Sequence, residues 1–305
     1  MRFSRIQAAT GLAPAIWGTT YLTTTELLPA GRPLLAATLR ALPAGLVLIA
    51  LGRRLPNGIW WWRAFVLGAL NIGAFFALLF VAAYRVPGGV VATIIAAQPL
   101  LVAVLSVWLL DQRASARLVL AAVAGLGGVG LLVLPAGATL DAVGEAAAVG
   151  AAAVFAMGIV LSKRWPSPAP ILATTGWQLA AGGLLVLPFA LGLEGVPPSL
   201  SATNLAGYAY LGIVGAAVAY VLWLRGIRAL PPTRVTFLAL LSPVVATVLD
   251  WIVRGQRLGA LQAVGGLIVL CSVVASQLQR VPQSVRGAIA TAQEEEAWAP
   301  SPLHR

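Results

Sequence analysis

Charge is what this 305-residue sequence has least of: 10% of its residues are Asp, Glu, Lys or Arg, against the roughly 25% usual in soluble domains. So few charges cannot cover a water-exposed surface, which excludes an ordinary soluble fold. Cysteine and histidine are almost missing too. Cys271, the single cysteine, lies inside an apolar run, so neither a disulfide framework nor a thiolate metal site is available. His304, the single histidine, stands next to the C-terminus. With no acidic cluster inside the apolar runs either, there is no metal set and no general base for intramembrane catalysis, and no cofactor is expected. Connections between the runs are too short to hold a soluble domain, so no nucleotide-binding domain supplies energy.

What is present is apolar length. Hydrophobic residues make up 60% of the chain, in stretches that reach the roughly 20 residues a helix needs to cross about 30 Å of hydrocarbon. At helical length the spans read approximately Thr10–Leu28, Leu34–Leu51, Ala64–Tyr84, Gly89–Leu110, Ala116–Leu134, Ala142–Leu161, Ile171–Leu191, Leu205–Leu224, Val235–Val253 and Leu258–Leu278. Arg2 and Arg5 before the first stretch imitate a signal peptide, but with nine further stretches behind it the segment is read as an uncleaved span. Beyond Leu278 the composition turns polar, and residues 280–305 read as a disordered cytoplasmic tail.

The net charge of +11 does not imply nucleic acid, because basic residues fall in ones and twos between apolar runs and serve orientation. With the N-terminus cytoplasmic, fifteen basic residues lie on that side and four, Arg32, Arg85, Arg254 and Arg257, on the other. Both termini are therefore expected in the cytoplasm and the protein in the cell membrane. Trp60, Trp61, Trp62 and Trp165 sit at span ends, as an interfacial anchoring belt does.

The halves overlay. An offset of 138 takes Trp17 to Phe155 and Arg40 to Gln178; an offset of 144 takes Gly68 to Gly212, Phe76 to Tyr220, Pro87 to Pro231, Pro99 to Pro243, and Gln112-Arg113 to Gln256-Arg257. Five spans per half, an odd number, oblige the second half to enter the membrane from the opposite side, giving an inverted repeat with units 1–140 and 141–279. The expected fold is thus all-α, ten transmembrane helices as two inverted five-helix repeats around a central cavity.

Ile16-Trp17-Gly18-Thr19-Thr20-Tyr21, Arg40, Gln98-Pro99 and Asp111-Gln112-Arg113 together resemble the EamA-type members of the drug/metabolite transporter superfamily, over about Thr10 to Leu278. The resemblance implies ten helices around a cavity and movement of amino acids, other small metabolites or drugs. This sequence departs from it in one respect: where the family commonly has Gly-Glu-Arg after the fourth and ninth helices, it has Asp111-Gln112-Arg113 and Gly255-Gln256-Arg257. No ion pair made by that glutamate can be carried over.

Gly125-Leu126-Gly127-Gly128-Val129-Gly130, with Glu145 twenty residues on, spells a dinucleotide fingerprint. It lies inside an apolar span, so Ala121, Gly125 and Gly128 read instead as a close helix contact. Gln98-Pro99 and Ser242-Pro243 place a proline near the middle of two corresponding helices, freeing the carbonyls of Ile95 and Ala239. Such breaks line substrate paths, with a plain structural kink as the competing reading. Glu26, Arg40, Glu145 and Asp250 are the ionisable groups within spans. An arginine in mid-membrane costs about 2.5–3.5 kcal/mol on insertion scales, so Arg40 must meet protein or water. Glu26 is its nearest candidate partner and Asp250 another, either as a site or as an ion pair that only fastens helices. Glu145 reads as a helix N-terminal charge.

Trp17, Tyr21, Asn71, Phe75, Phe76, Tyr84, Gln178, Tyr220 and Trp223 lie on spans that line the cavity in similar transporters, alongside Gln98 and Ser242. As a set they suggest an aromatic pocket with few charges, with Glu26, Pro99, Pro243 and Asp250 as coupling or gating positions. The expected function is a secondary transporter, an exporter of small metabolites such as amino acids, working by alternating access; a non-catalytic assembly factor and an intramembrane lipid-modifying enzyme are the rivals. Expected partners are a small-molecule substrate, the lipid bilayer and protons as a coupling ion, with no nucleic acid and no oligomeric state specified.

Overall fold

A computed structural model describes residues 5–29, 31–83, 85, 88–112, 115–133, 141–197, 199–255 and 259–278. The expected tail 280–305, Tyr84, Pro87, Arg113, Gln256 and Arg257 lie outside the described residues, as do the side chains of Tyr21 and Asp250. Among the described residues there is no strand. The helices are α1 (Arg5–Leu27), α2 (Pro33–Gly52), α3 (Trp60–Gly68), α4 (Ala74–Ala83), α5 (Gly88–Ile95), α6 (Gln98–Leu110), α7 (Ala116–Val133), α8 (Ala142–Arg164), α9 (Ile171–Phe189), α10 (Ala202–Tyr210), α11 (Ala219–Ala229), α12 (Pro232–Ala239), α13 (Leu241–Arg254) and α14 (Ala260–Leu278). Helix is the form that satisfies backbone polar groups where lipid offers no partner.

Several of these join into longer runs. A π-helical turn at Ala69–Gly73 links α3 to α4, a second at Leu211–Val218 links α10 to α11, and a third at Ala190–Glu194 extends α9. The fourth and ninth expected spans are broken: α5 stops at Ile95 and α6 starts at Gln98, and α12 stops at Ala239 and α13 starts at Leu241. The breaks sit at the prolines, since neither Pro99 nor Pro243 can donate to the preceding turn.

Among the described residues, eight runs are long and apolar enough to cross a bilayer: Pro33–Gly52, Trp60–Leu79, Val91–Leu110, Ala142–Arg164, Ile171–Glu194, Ala202–Ala229, Pro232–Val253 and Ala260–Leu278. The chain is therefore a multi-pass membrane protein. α1 and α7 were also expected to span and do not meet that measure. In α1 threonines, Gln7 and Glu26 dilute the apolar residues, and two of these polar side chains meet neighbouring helices, Thr19 Oγ1 lying 2.7 Å from the Tyr210 hydroxyl and Gln7 Nε2 donating to Gln277 Oε1 at 3.1 Å.

Glycine seams hold the bundle. α2 packs along α9, and α7 along α14. A Cβ built on Gly176 would stand 2.9 Å from the Gly45 carbonyl, and one on Gly128 2.9 Å from the Gly265 carbonyl. The glycine run that imitates a nucleotide fingerprint is thus a helix contact within α7. At one end of the bundle Glu194 caps α2, its Oε1 accepting from Leu34 N at 2.7 Å and its Oε2 from Leu35 N at 2.8 Å. Arg32 Nη1 donates back to the Glu194 and Gly195 carbonyls. Carboxylate and helix dipole reinforce each other there, which fixes the entry of the helix that carries Arg40. Asp141 caps α8 in the same way, accepting from Gly144 N at 2.7 Å, with Glu145 in the first turn.

Candidate functional site

The π-helical turns place the site. A π turn widens the helix and disturbs the regular ladder, so a backbone carbonyl can turn to a side chain instead. In the second turn the Gly215 carbonyl accepts from Trp17 Nε1 at 3.1 Å and from Arg40 Nη2 at 3.0 Å. Arg40 is 9% exposed, and its guanidinium also lies over the Phe76 ring, 5.2 Å from the centroid. A carbonyl dipole and a ring face thus help stabilise a charge that hydrocarbon would reject. Glu26 is exposed near the end of α1.

The first π turn carries Asn71, whose Nδ2 donates to Gln178 Oε1 at 2.9 Å and to Ser162 Oγ at 3.3 Å. Asn71 and Gln178 are both buried. The Asn71 Oδ1 has no hydrogen-bond partner.

Between these two polar nodes lies a continuous aromatic body. Trp17 tilts against Tyr220 and against Trp223, with centroids 5.1 Å apart in each pair. Phe155 stacks on Phe75 at 4.6 Å and on Trp223 at 6.4 Å, and Phe75 meets Phe76 at 5.5 Å. Each such pair contributes about 0.5–1.5 kcal/mol beyond its buried area. The Trp223 Nε1 is buried without a hydrogen-bond partner, as is Gln98 Nε2 at the start of α6. Leaving such a donor unmet costs about 1–3 kcal/mol.

Of the residues singled out from sequence, Trp17, Arg40, Phe75, Tyr220 and Trp223 come together, and Asn71 pairs with Gln178. Ser242 is half-buried; its carbonyl lies against Gly18, where an added Cβ would stand 2.8 Å away. Pro99 and Pro243 mark the helix breaks. Sequence reasoning missed Phe155, Ser162 and Gly215 as members of the site. The internal offsets could have found two of them: 138 leads from Trp17 to Phe155 and 144 from Asn71 to Gly215.

A cleft opens at the end of the bundle where α3 and α9 begin and α8 and α11 end. Its lining includes Trp60, Ser162, Trp165, Thr174, Gln178 and Arg228. The four tryptophans expected to form one belt divide here. Trp61 and Trp62 are 59% and 63% exposed, as lipid anchors are, while Trp60 and Trp165 turn inward to line the cleft. Helical rotation separates them, because successive residues point about 100° apart.

The EamA-like transporter family matches residues 8–134 and again residues 142–276. Protein PecM of Dickeya dadantii (strain 3937) is 48% identical over 267 residues, covering 87% of this chain and 90% of that protein. The uncharacterized inner membrane transporter YedA of Escherichia coli (strain K12) is 27% identical, covering 90% and 92%. A solved crystal structure shares the fold at a TM-score of 0.75 and 22% identity, over 90% of this chain and 98% of that one. With matches that run through both halves of the sequence, and with a relative at this identity across nearly its whole length, the chain belongs to the EamA-like transporter family.

Proposed function

We propose that this transporter is a secondary exporter of small metabolites such as amino acids or related compounds, with ten helices in two inverted five-helix repeats that alternate access to a central site. The backbone supports the duplication. An offset of 144 carries the π turn at Ala69–Gly73 into the one at Leu211–Val218, the break after Ile95 to the break after Ala239, and the left-handed cap Asp111 to the left-handed Gly255. Helix pairing follows the same exchange: α2 packs on its own counterpart α9, α7 on α14, and the pair α6 with α8 has its counterpart in α13 with α1. The two successive family matches agree with units 1–140 and 141–279.

The observation that carries the function is the pair of buried polar nodes facing one aromatic body. Arg40 on the Gly215 carbonyl suits a substrate carboxylate, and the rings of Trp17, Phe75, Tyr220 and Trp223 suit an apolar or aromatic side chain. Tyr21, Gln98 and Ser242 complete the proposed lining, and Pro99 and Pro243 give the breaks about which the halves rock. Glu26 and Asp250 are the candidate proton-coupling groups.

Cells with and without the gene, challenged with a panel of amino acids and toxic analogues, should differ in tolerance or efflux for at least one compound, and liposomes holding the pure protein should move it. Failure of both would favour the assembly-factor reading. Reporter fusions after Arg54, Arg117, Arg164, Arg228 and Arg280 should read cytoplasmic and those near Gly31, Arg85, Ala138, Gly195 and Gly255 external. An odd number of crossings would remove the inverted repeat.

A further inference from the structure

The cleft that ends on Gln178 has a chemical bias that the central site does not explain. Three cations gather on it. Arg228 lines it directly, fixed by donation from its Nη2 to Thr174 Oγ1 at 2.8 Å and to the Ala169 carbonyl at 3.2 Å. Lys163 donates its Nζ proton to the Arg228 carbonyl at 2.6 Å, which brings the sequence's one lysine beside it. Arg63 lies between the two tryptophans of the mouth, its guanidinium carbon 5.5 Å from the Trp60 ring and 5.3 Å from the Trp165 ring. Among the described residues no Asp or Glu belongs to the lining.

The floor has the same preference. Gln178 Oε1 already accepts from Asn71, and Gln178 Nε2 adds a donor at this end of the cleft. Side chains of low polarity, Leu67, Leu224 and Ile227, make up other parts of the wall. A narrow cleft with low-dielectric walls and charge of one sign focuses its field and concentrates counter-ions at its mouth. The orientation rule accounts for basic residues at this end of the bundle. It does not require them to converge on one cleft that leads to a buried donor.

We infer that this cleft is an anion-attracting vestibule, drawing carboxylate-bearing solutes from the basic end of the bundle to the Asn71–Gln178 node. The inference rests on the transport reading for its purpose, but its electrostatics can be measured without any substrate. The full-length protein in lipid nanodiscs, and a Trp165→Phe variant, are titrated with iodide and with caesium at one ionic strength, and the part of the emission due to Trp165 is taken by difference. Iodide should quench that part several-fold more strongly than caesium, and added sodium chloride should shrink the ratio. Arg63→Gln should bring the ratio towards one, as should Arg228→Gln. Arg63 meets the Trp60 and Trp165 rings at the mouth, so its variant keeps the test decisive if Arg228→Gln fails to fold. Benzoate should protect Trp165 from iodide better than benzamide.

A ratio at or below one in the unaltered protein, or a ratio unchanged in folded Arg63→Gln, would overturn the vestibule. Equal protection by benzoate and benzamide would overturn the carboxylate preference. A cell panel that shows no transported compound sinks the transport reading, while the iodide ratio still stands or falls by itself.

Discussion

The π turns at Ala69–Gly73 and Leu211–Val218 occupy equivalent places in the halves of the chain and hold different contacts. In the first, Asn71 offers a side-chain amide to Gln178 of α9; in the second, Gly215 offers a bare carbonyl to Arg40 of α2. Gln178 and Arg40 are themselves related by the offset of 138, and Asn71 and Gly215 by 144. One crossing contact thus exists in two versions, neutral and charged. The packing beside them differs accordingly. A Cβ at Gly68 would stand 2.6 Å from the Gln178 carbonyl and 2.8 Å from Ala181 Cβ, whereas one at the corresponding Gly212 would meet nothing nearer than 3.8 Å. The neutral node is clamped and the charged node has room. A duplicated backbone can keep its geometry while its side chains specialise, one half towards a tight neutral contact and the other towards a charged contact with room beside it.

The largest effect should fall on the charged node. Hydrogen bonds to a charged group are worth about 1.5–3 kcal/mol, so Arg40→Gln should lower transport by roughly 10- to 150-fold with folded protein retained, measured as initial efflux per unit of folded protein. If the double variant Arg40→Gln with Glu26→Gln recovers both abundance and rate, Arg40 is only a fastener and the contrast between the nodes disappears.

Next comes the packing contrast. Gly68→Ala should reduce stability by about 1–3 kcal/mol, the usual cost of overpacking a tight contact, while Gly212→Ala should leave it nearly unchanged. Thermal unfolding of the two purified variants in one detergent measures both. Equal losses would mean that the two nodes are equally clamped.

Loss of the neutral pair should be milder. Asn71→Ala removes the hydrogen bonds to Gln178 and Ser162, each worth about 0.5–1.5 kcal/mol, and should cost several-fold in transport. A double-mutant cycle with Gln178→Ala should show coupling of that order, and additive single effects would show that the pair does not act together.

The smallest effects belong to the helix breaks. Pro99→Ala and Pro243→Ala should each slow transport by roughly two- to five-fold, the factor that corresponds to the 0.4–1 kcal/mol typical of such backbone changes, with abundance held. Normal rates in both variants would make the prolines packing features in each half alike.

Much of this was legible along the chain. The membrane class, most of the spans, the two proline breaks and the need of Arg40 for protein contacts all follow from composition and periodicity, because hydrocarbon thickness fixes apolar length and a buried charge is always costly. The false nucleotide fingerprint was readable as a packing seam for the same reason. The contact of Arg40 with Gly215 was not readable. Arg40 reaches the Gly215 carbonyl, which becomes available through a π turn that no residue type announces. The tryptophans teach the same lesson: Trp60 and Trp61 are adjacent and chemically identical, and one lines a cleft while the other faces outward. Sequence alone determined that the chain lives in a bilayer and where it bends, since those depend on local residue chemistry. Only the tertiary structure decided which side chains meet at the nodes, because each such contact joins helices from opposite halves of the chain, and its partner is chosen by how closely glycine seams let those helices approach.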